Sequence, residues 1–281
     1  MGYRLICIDM DGTLLNSSKQ ISEKTKITLL KAHQRGVHIV IATGRTYADA
    51  EYYASHIGLQ SPIIASNGAY IQDKERHQLI YQSLLSKKLA LRILDICKRY
   101  HVSPNFHTPN REYYASIGLI IMWNLFRLKN RIKQTNRGGY RKYIPGYRQL
   151  QKIVEQEQDH IVKCVVIQFI NKGKLPKLRS ELSRITELEI VSSGSNNIEI
   201  NYQGTSKGKG VEILARHYNI PREEIIAIGD NENDLSMIEY AGLGVAMGNA
   251  LDVVKKKADY ITDTNDNDGV AQVIDKFVLN A

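Results

Sequence analysis

The sequence predicts an α/β fold: a doubly wound parallel sheet interrupted by an inserted α+β segment. Three observations carry that expectation. Short, continuous apolar runs alternate with amphipathic stretches at the start of the chain, and the same rhythm resumes at its end. Strands of a parallel sheet read this way because helices cover both of their faces. The middle of the chain differs in charge: residues 83–203 hold 21 Lys and Arg against 9 Asp and Glu, a net of +12, whereas the remainder holds 17 against 20, a net of −3. A composition shift on this scale separates one segment from another. The expected division is residues 1–82 with 204–281 as one core, and 83–203 as the insert.

Residues 3–9 are an apolar run that stops at an acidic turn, as a buried strand does. Residues 22–35 carry helical spacing at Ile27 and Leu30 and stop at Gly36, a strong C-terminal signal. VHIVIA over 37–42 is a second strand, 46–57 a helix, and 62–66 a third strand. The last segment reads as a helix at 206–218, a buried strand IIAIG at 225–229 and a helix at 232–240. A strand follows at 243–247 (LGVAM), then a helix at 251–257, a short strand at 260–262 and a closing helix at 269–277. In the insert, 86–100 is an amphipathic helix. Strand-like runs at 162–170, 189–192 and 198–201, with a helix around 175–185, argue for an antiparallel α+β unit.

Composition removes several classes. The chain has 281 residues, 43% hydrophobic and 24% charged, an ordinary globular balance. No low-complexity tract or repeat points to disorder or a solenoid. The opening MGYRLICIDMDGT is too short and too acidic for a signal peptide. Ile6 stands where a myristoylation motif needs Ser or Thr. The longest apolar stretch, 117–126, is broken by Gly118 and Asn124, and a spanning helix needs roughly 20 residues. Cys7, Cys97 and Cys164 are odd in number and scattered, as buried thiols in a reducing compartment are. The expectation is a cytoplasmic monomer or homodimer with no membrane partner.

Four motifs carry chemistry. Asp9-Met10-Asp11-Gly12-Thr13 follows the first strand, and ligands of open parallel sheets sit at that carboxyl edge. Two carboxylates there can share a reaction, one attacking and one moving a proton, or can help hold a cation. An acidic helix-capping turn is the plainer reading. Thr43-Gly44-Arg45 ends the second strand, where a hydroxyl and free N–H groups bind an anion or simply cap a helix. Ser66-Asn67-Gly68 ends the third strand and reads by default as a tight turn. Lys207 opens a helix against its dipole; alone it reads as a solvated surface lysine, unless an anion lies nearby. Gly229-Asp230-Asn231-Glu232-Asn233-Asp234 follows IIAIG and supplies hard oxygen ligands of the kind Mg²⁺ takes, or a polar cap.

In this order the motifs resemble the haloacid dehalogenase superfamily, and more closely its Cof-type phosphatases. Further matches are Ser66-Asn67-Gly68-Ala69, Ala246-Met247-Gly248-Asn249-Ala250 and Asp268-Gly269-Val270-Ala271. The resemblance implies a Rossmann-like core and a mobile cap. About 34 positions separate Asp9 from Thr43 and about 164 separate Thr43 from Lys207, so the cap is of the type inserted after the second motif. It implies Asp9 as nucleophile, Asp11 as acid and base, Thr43 on a phosphoryl oxygen, and Lys207 as charge neutraliser. Met10, Gly44, Arg45, Asn67, Gly68 and Asn233 are the implied phosphoryl- or substrate-binding positions. Mg²⁺ would be held by Asp9, the Asp11 carbonyl and Asp230, with Asn233 and Asp234 completing or orienting the site.

The function expected is hydrolysis of small phosphorylated metabolites through an aspartyl-phosphate. A hexose phosphomutase on the same scaffold is the runner-up. Residues 113–154 hold no acid and place Arg127, Lys129, Arg131, Lys133, Arg137, Arg141, Lys142, Arg148 and Lys152 among tyrosines. Such a stretch could bind nucleic acid, a disfavoured reading, or draw in anionic substrates.

Overall fold

The structure is a computed structural model that describes residues 2–115, 140–169 and 173–280. The apolar run 117–126 and five of the basic positions (Arg127, Lys129, Arg131, Lys133 and Arg137) lie outside the described residues.

The chain opens with β1 (Leu5–Ile8), every residue of it buried. Helix α1 (Glu23–Gln34) follows, with the Ser22 hydroxyl accepting from the Thr25 N–H. Such a cap contributes about 1 kcal/mol. Then come β2 (His38–Ala42), α2 (Tyr47–Ile57) capped by Thr46, and β3 (Ile63–Ala65). Two further strands extend this edge: β4 (Tyr70–Gln72) pairs antiparallel with β3, and β5 (Leu79–Gln82) pairs antiparallel with β4.

The chain then builds a second sheet. Its elements are α3 (Lys87–Arg99), β6 (Pro104–His107), β7 (Arg111–Tyr114), β8 (Tyr140–Tyr143), α4 (Tyr147–Gln156), β9 (Lys163–Ile167), α5 (Lys174–Leu182), β10 (Leu188–Val191) and β11 (Asn197–Tyr202). Its order is β10-β11-β9-β6-β7-β8, antiparallel except for the β7–β8 pair.

The first sheet resumes through α6 (Lys207–His217), β12 (Ile225–Gly229), α7 (Leu235–Tyr240), β13 (Leu243–Ala246), α8 (Asp252–Lys255), β14 (Tyr260–Ile261) and α9 (Gly269–Ile274). The first sheet has the order β14-β13-β12-β1-β2-β3-β4-β5. From β14 to β3 it is parallel; β4 and β5 make it mixed. β2 and β12 pair both edges of β1 and helices cover both of its faces, which is why LICI carries no polar residue. Apolar side chains of Ile6, Ile8, Ile39 and Ile41 pack toward α1, α2 and α9, whereas Leu5, Cys7 and Val40 pack toward α6 and α7. The second sheet has its own core, in which Phe106, Cys164, Val166 and Ile200 meet α3, α4 and α5.

The helix expected over 232–240 is divided. Glu232–Asp234 form one 3-10 turn before α7, because Asn231 and Asp234 cap that turn reciprocally. The closing helix α9 is continued by a wider turn over Asp275–Leu279. Among the described residues no helix is long and apolar enough to cross a membrane.

Candidate active site

The carboxyl ends of β1 and β12 lie side by side and place their acids together. Asp9 leaves β1 with its N–H on the Ile228 carbonyl at 3.0 Å. The chain then turns back at Gly12, whose φ of +88° suits glycine; a Cβ there would stand 2.5–2.9 Å from the Asp230 carboxylate. Thr13 Oγ1 donates to Asp230 Oδ1 at 2.9 Å. Asp234 Oδ2 accepts from the N–H groups of Asp230 and Asn231, both at 2.9 Å, which fixes the loop after β12. Ligand oxygens of Asp9, Asp230 and Asp234 all lie within 4.8 Å of one another.

Lys207 enters this acidic cluster from the first turn of α6. Its side chain is 0% exposed, and its ammonium lies 2.5 Å from Asp9 Oδ1 and 2.6 Å from Asp234 Oδ1. The surface reading of this lysine is therefore replaced by a buried one. Burial pushes Asp9 well above the ordinary carboxylate range, and Asp234 and Asp230 add to that rise against the pull of Lys207. Burial, followed by Asp234, raises Asp230 to about 6. Burial alone would lower Lys207, but Asp234 and Asp9 outweigh it and hold the ammonium charged. Three carboxylates face one ammonium, so burial and, with all three ionised, a surplus of two negative charges are why Asp9 and Asp230 hold protons more tightly than free carboxyls. That surplus, on hard oxygen donors, fits a small divalent cation.

Asp11 belongs to a different group. Arg45 grips its carboxylate with two bonds, Nε to Oδ2 at 2.6 Å and Nη2 to Oδ1 at 2.8 Å, and Lys19 adds a third at 2.8 Å. Arg45 is itself held by Asp49 at 2.9 Å and lies over the Tyr53 ring. Burial by itself would raise Asp11, but Arg45 and then Lys19 hold it well below the usual range.

The loops after β2 and β3 are laced to each other. The N–H of Thr43 bonds the Ile64 carbonyl at 2.8 Å, and the N–H of Asn67 bonds the Thr43 carbonyl at 3.0 Å. The buried Thr43 Oγ1 accepts from the Arg45 N–H at 3.1 Å. Asn67 sits at φ 62°, a left-handed conformation that asparagine tolerates. Its amide donates to Glu199 Oε2 at 2.7 Å, and its oxygen accepts from Asn233 at 3.2 Å. Gly68, at φ +93°, passes so close to the Ser206 carbonyl that a side chain would collide with it.

The expected positions thus fall into three neighbouring groups. Asp9, Lys207, Asp230 and Asp234 form one, Asp11 and Arg45 a second, and Thr43, Gly44, Asn67, Gly68 and Asn233 a third. Met10 is buried in the apolar core, so only its backbone is available to a ligand. Asn233 pairs with Asn67 rather than with the three carboxylates. The sequence reading did not single out Thr13, Lys19, Lys163, Glu199 or Asn201. Thr13 was visible inside the first motif. Glu199 and Asn201 are signalled only by polar residues alternating along β11, and Lys163 only as the one charge on the otherwise apolar β9. Asn249, within a quoted tract, bonds the Gly12 carbonyl at 2.8 Å, and Asp268 receives the Ser22 hydroxyl and that of Thr25.

Carboxylates converging at the carboxyl edge of a doubly wound sheet, with a buried lysine between them, mark an α/β protein with an acidic site suited to a cation and a charged ligand. A profile of haloacid dehalogenase-like hydrolases matches residues 6–274. The 5-amino-6-(5-phospho-D-ribitylamino)uracil phosphatase YcsE of Bacillus subtilis is 34% identical over 276 residues, covering 98% of this chain and 96% of that protein. The pyridoxal phosphate phosphatase YbhA of Escherichia coli is 29% identical, covering 98% of both chains. A haloacid dehalogenase-like hydrolase from Bacillus subtilis superposes with a TM-score of 0.85 at 31% identity, covering 98% of this chain and 100% of that one. The chain belongs to the haloacid dehalogenase-like hydrolases, and it is an enzyme of the phosphatase type.

Proposed function

We propose that this enzyme is a Mg²⁺-dependent phosphatase that hydrolyses small phosphorylated metabolites through a phosphoryl group carried on Asp9. The observation that carries the reading is Asp9 itself, a buried carboxylate at the end of β1, paired with a fully buried lysine and set beside two further acids. The substrates named for the relatives, a ribitylaminouracil phosphate and pyridoxal phosphate, support a small polar body bearing one phosphate. In this reading residues 83–203 are a cap over a core of 1–82 and 204–281.

In the first half-reaction an oxygen of Asp9 attacks phosphorus while the bond from phosphorus to the ester oxygen breaks. Asp11, protonated and free of Arg45, delivers its proton to that departing oxygen. A phosphoryl dianion that draws Arg45 to itself releases Asp11 for this task. In the second half-reaction Asp11 takes a proton from water as the water oxygen attacks phosphorus. The bond to Asp9 breaks, and inorganic phosphate leaves. Lys207 opposes the charge on Asp9, while the Thr43 hydroxyl and the N–H groups of Met10, Gly44 and Gly68 suit the phosphoryl oxygens. Asp9, Asp230 and the Asp11 carbonyl would hold Mg²⁺, with Asp234 orienting the loop that bears Asp230 and Asn233 steadying Asn67. The bound ion supplies neutralisation of the charge shared by the nucleophile and the phosphoryl group.

The test is acid quenching during turnover of p-nitrophenyl phosphate, followed by peptide mapping. The expected result is a phosphoryl group on the peptide bearing Asp9, lost in Asp9→Asn together with at least about three orders of magnitude in kcat. Turnover of Asp9→Asn within tenfold of wild type overturns the reading.

A further inference from the structure

The loop that follows the first motif is wound tightly and fastened to the far end of the chain. Leu15 returns toward the motif, its N–H bonding the Met10 carbonyl at 2.8 Å. Asn16 then closes a turn. Its Oδ1 accepts from the N–H groups of Ser18 and Gln20 at 3.0 and 2.9 Å. Its N–H donates to the Gln20 carbonyl at 2.9 Å, and its carbonyl accepts from the Lys19 N–H at 2.8 Å. Outside the turn, Asp266 receives the N–H and the hydroxyl of Ser17 at 2.8 and 2.6 Å, and Asn265 donates to the Leu15 carbonyl at 2.8 Å.

Within this turn Lys19 has a φ of +59°. A residue with a Cβ adopts that left-handed conformation at a cost that glycine avoids. Such a residue points to function where stability does not account for it. Stability does not account for this one. The ion pair that Lys19 makes, to Asp11 Oδ1 at 2.8 Å, joins side chains that are 39% and 40% exposed, and pairs so open to water contribute little. What the conformation achieves is placement: the turn aims the ammonium at one oxygen of the residue that serves as acid and base in the proposed reaction.

The two oxygens of Asp11 are held unequally. Among the described residues Oδ2 accepts from Arg45 Nε alone, at 2.6 Å, whereas Oδ1 accepts from Arg45 Nη2 and from Lys19, both at 2.8 Å. When a phosphoryl group draws Arg45 to itself, Oδ2 is left free and Oδ1 stays bonded to Lys19. An ammonium has donors and no acceptor. Oδ1 facing it therefore remains an acceptor, and the acidic proton sits on Oδ2.

We propose that Lys19 is a positioning residue, which holds Asp11 Oδ1 through the reaction so that Oδ2 delivers the proton to the leaving oxygen. The proposal rests on the phosphatase reading above and deepens it. As the bond from phosphorus to the ester oxygen breaks, its electron pair stays on that oxygen and takes the proton from Oδ2. Asp11 is left as a carboxylate and the phosphoryl group is on Asp9. In the second half-reaction Oδ2 takes a proton from the attacking water, so Asp11 begins and ends each turnover protonated. Lys19 touches no reacting atom and neither gains nor loses a proton.

Two small aromatic esters separate this role from simple attraction of anions. Benzyl phosphate expels a basic alkoxide unless its oxygen is protonated, whereas p-nitrophenyl phosphate expels a stable phenolate that needs little help from an acid. The quantity to compare is kcat/KM, which covers the steps up to departure of that group. Lys19→Met should lower it for benzyl phosphate by at least about tenfold and for p-nitrophenyl phosphate by less than about threefold. Lys19→Gly suits the left-handed turn and removes only the side chain, so it should show the same split. Lys24→Met, at an exposed lysine of α1, should leave both esters at wild-type rates. Urea unfolding of each variant reports the fold independently. Equal losses on the two esters, no loss on either, or benzyl phosphate turnover retained in Lys19→Gly overturns the proposal and leaves the phosphatase reading standing. No hydrolysis of either ester by the wild type with Mg²⁺ overturns the phosphatase reading itself.

Discussion

Replacing Lys207 with methionine removes a buried ammonium and keeps most of its volume. In the wild type that ammonium is 2.5 Å from Asp9 and 2.6 Å from Asp234. At an effective dielectric constant of about 20, each contact is worth roughly 6 kcal/mol of Coulomb attraction, most of it offset by the desolvation of burial. Removing one partner of a buried pair costs about 3–5 kcal/mol. That is the loss expected for Lys207→Met at pH 7.5 without metal.

The loss should depend on pH, with a sign that follows from the carboxyls. Asp9 and Asp230 are already raised in the fold, and removing Lys207 raises them further. A carboxyl whose folded-state value lies above its unfolded one destabilises the fold at high pH, and that penalty disappears as pH falls through the raised value. Each tenfold gain in proton affinity is about 1.4 kcal/mol. The deficit of the variant should therefore shrink below pH 6. Urea unfolding of both proteins at pH 7.5 and 5.0, with and without Mg²⁺, measures it. A deficit under about 1 kcal/mol at pH 7.5, or one that grows on acidification, refutes the argument.

Three further outcomes follow from the same geometry. Protons compete with a cation for Asp9 and Asp230, so the Mg²⁺ concentration for half-maximal activity should rise as pH falls through about 6, as a titration of activity against Mg²⁺ at each pH would read. Arg45→Ala should move the Asp11 carboxyl up toward the ordinary carboxylate range, because Arg45 is the principal group lowering it; carbon-13 NMR titration of the Asp side chains checks this. Gly12→Ala should weaken Mg²⁺ binding and cost roughly 1 kcal/mol or more of stability, since the new methyl must displace the Asp230 carboxylate at a backbone conformation that disfavours alanine; calorimetry of Mg²⁺ binding and urea unfolding read the two effects.

Much of the core was legible because its strands are buried on both sides. LICI and IIAIG admit no polar residue and HIVIA only its leading, half-buried His38, so apolar continuity located β1, β2 and β12 to within two residues. Strands β4 and β5 carry too few residues, and too many polar ones, to signal themselves. The acids after β1 and β12 could be found by type and position, but not their grouping. Only the fold shows that Asp11 turns to Arg45, the strong donor beside it, while Asp9 turns to Lys207. Lys207 itself was ambiguous because its burial depends on Asp9, nearly 200 residues away in sequence, as well as on Asp234. The buried polar side chains of β11, Glu199 and Asn201, were hidden for a related reason. Alternating polar residues on a strand normally mark a face turned to water, and here the loop after β3 covers that face.

The position of β1 between β2 and β12 bears on how the chain leaves the ribosome. Leu5 and Ile225 are neighbours in the sheet, yet more than two hundred residues are synthesised between them. The second sheet has all its strands within one continuous stretch and can close while the rest is still being made. The segment synthesised first must therefore wait for its partner strand, with apolar edges such as that of β1 unpaired in the meantime. A nascent chain halted at residue 220 would hold Asp9 and Lys207 but lack β12 and the loop bearing Asp230 and Asp234. In the proposed mechanism catalytic competence thus arrives only with the final fifth of translation, and the exposed β1 edge is where a chaperone has the longest opportunity to act.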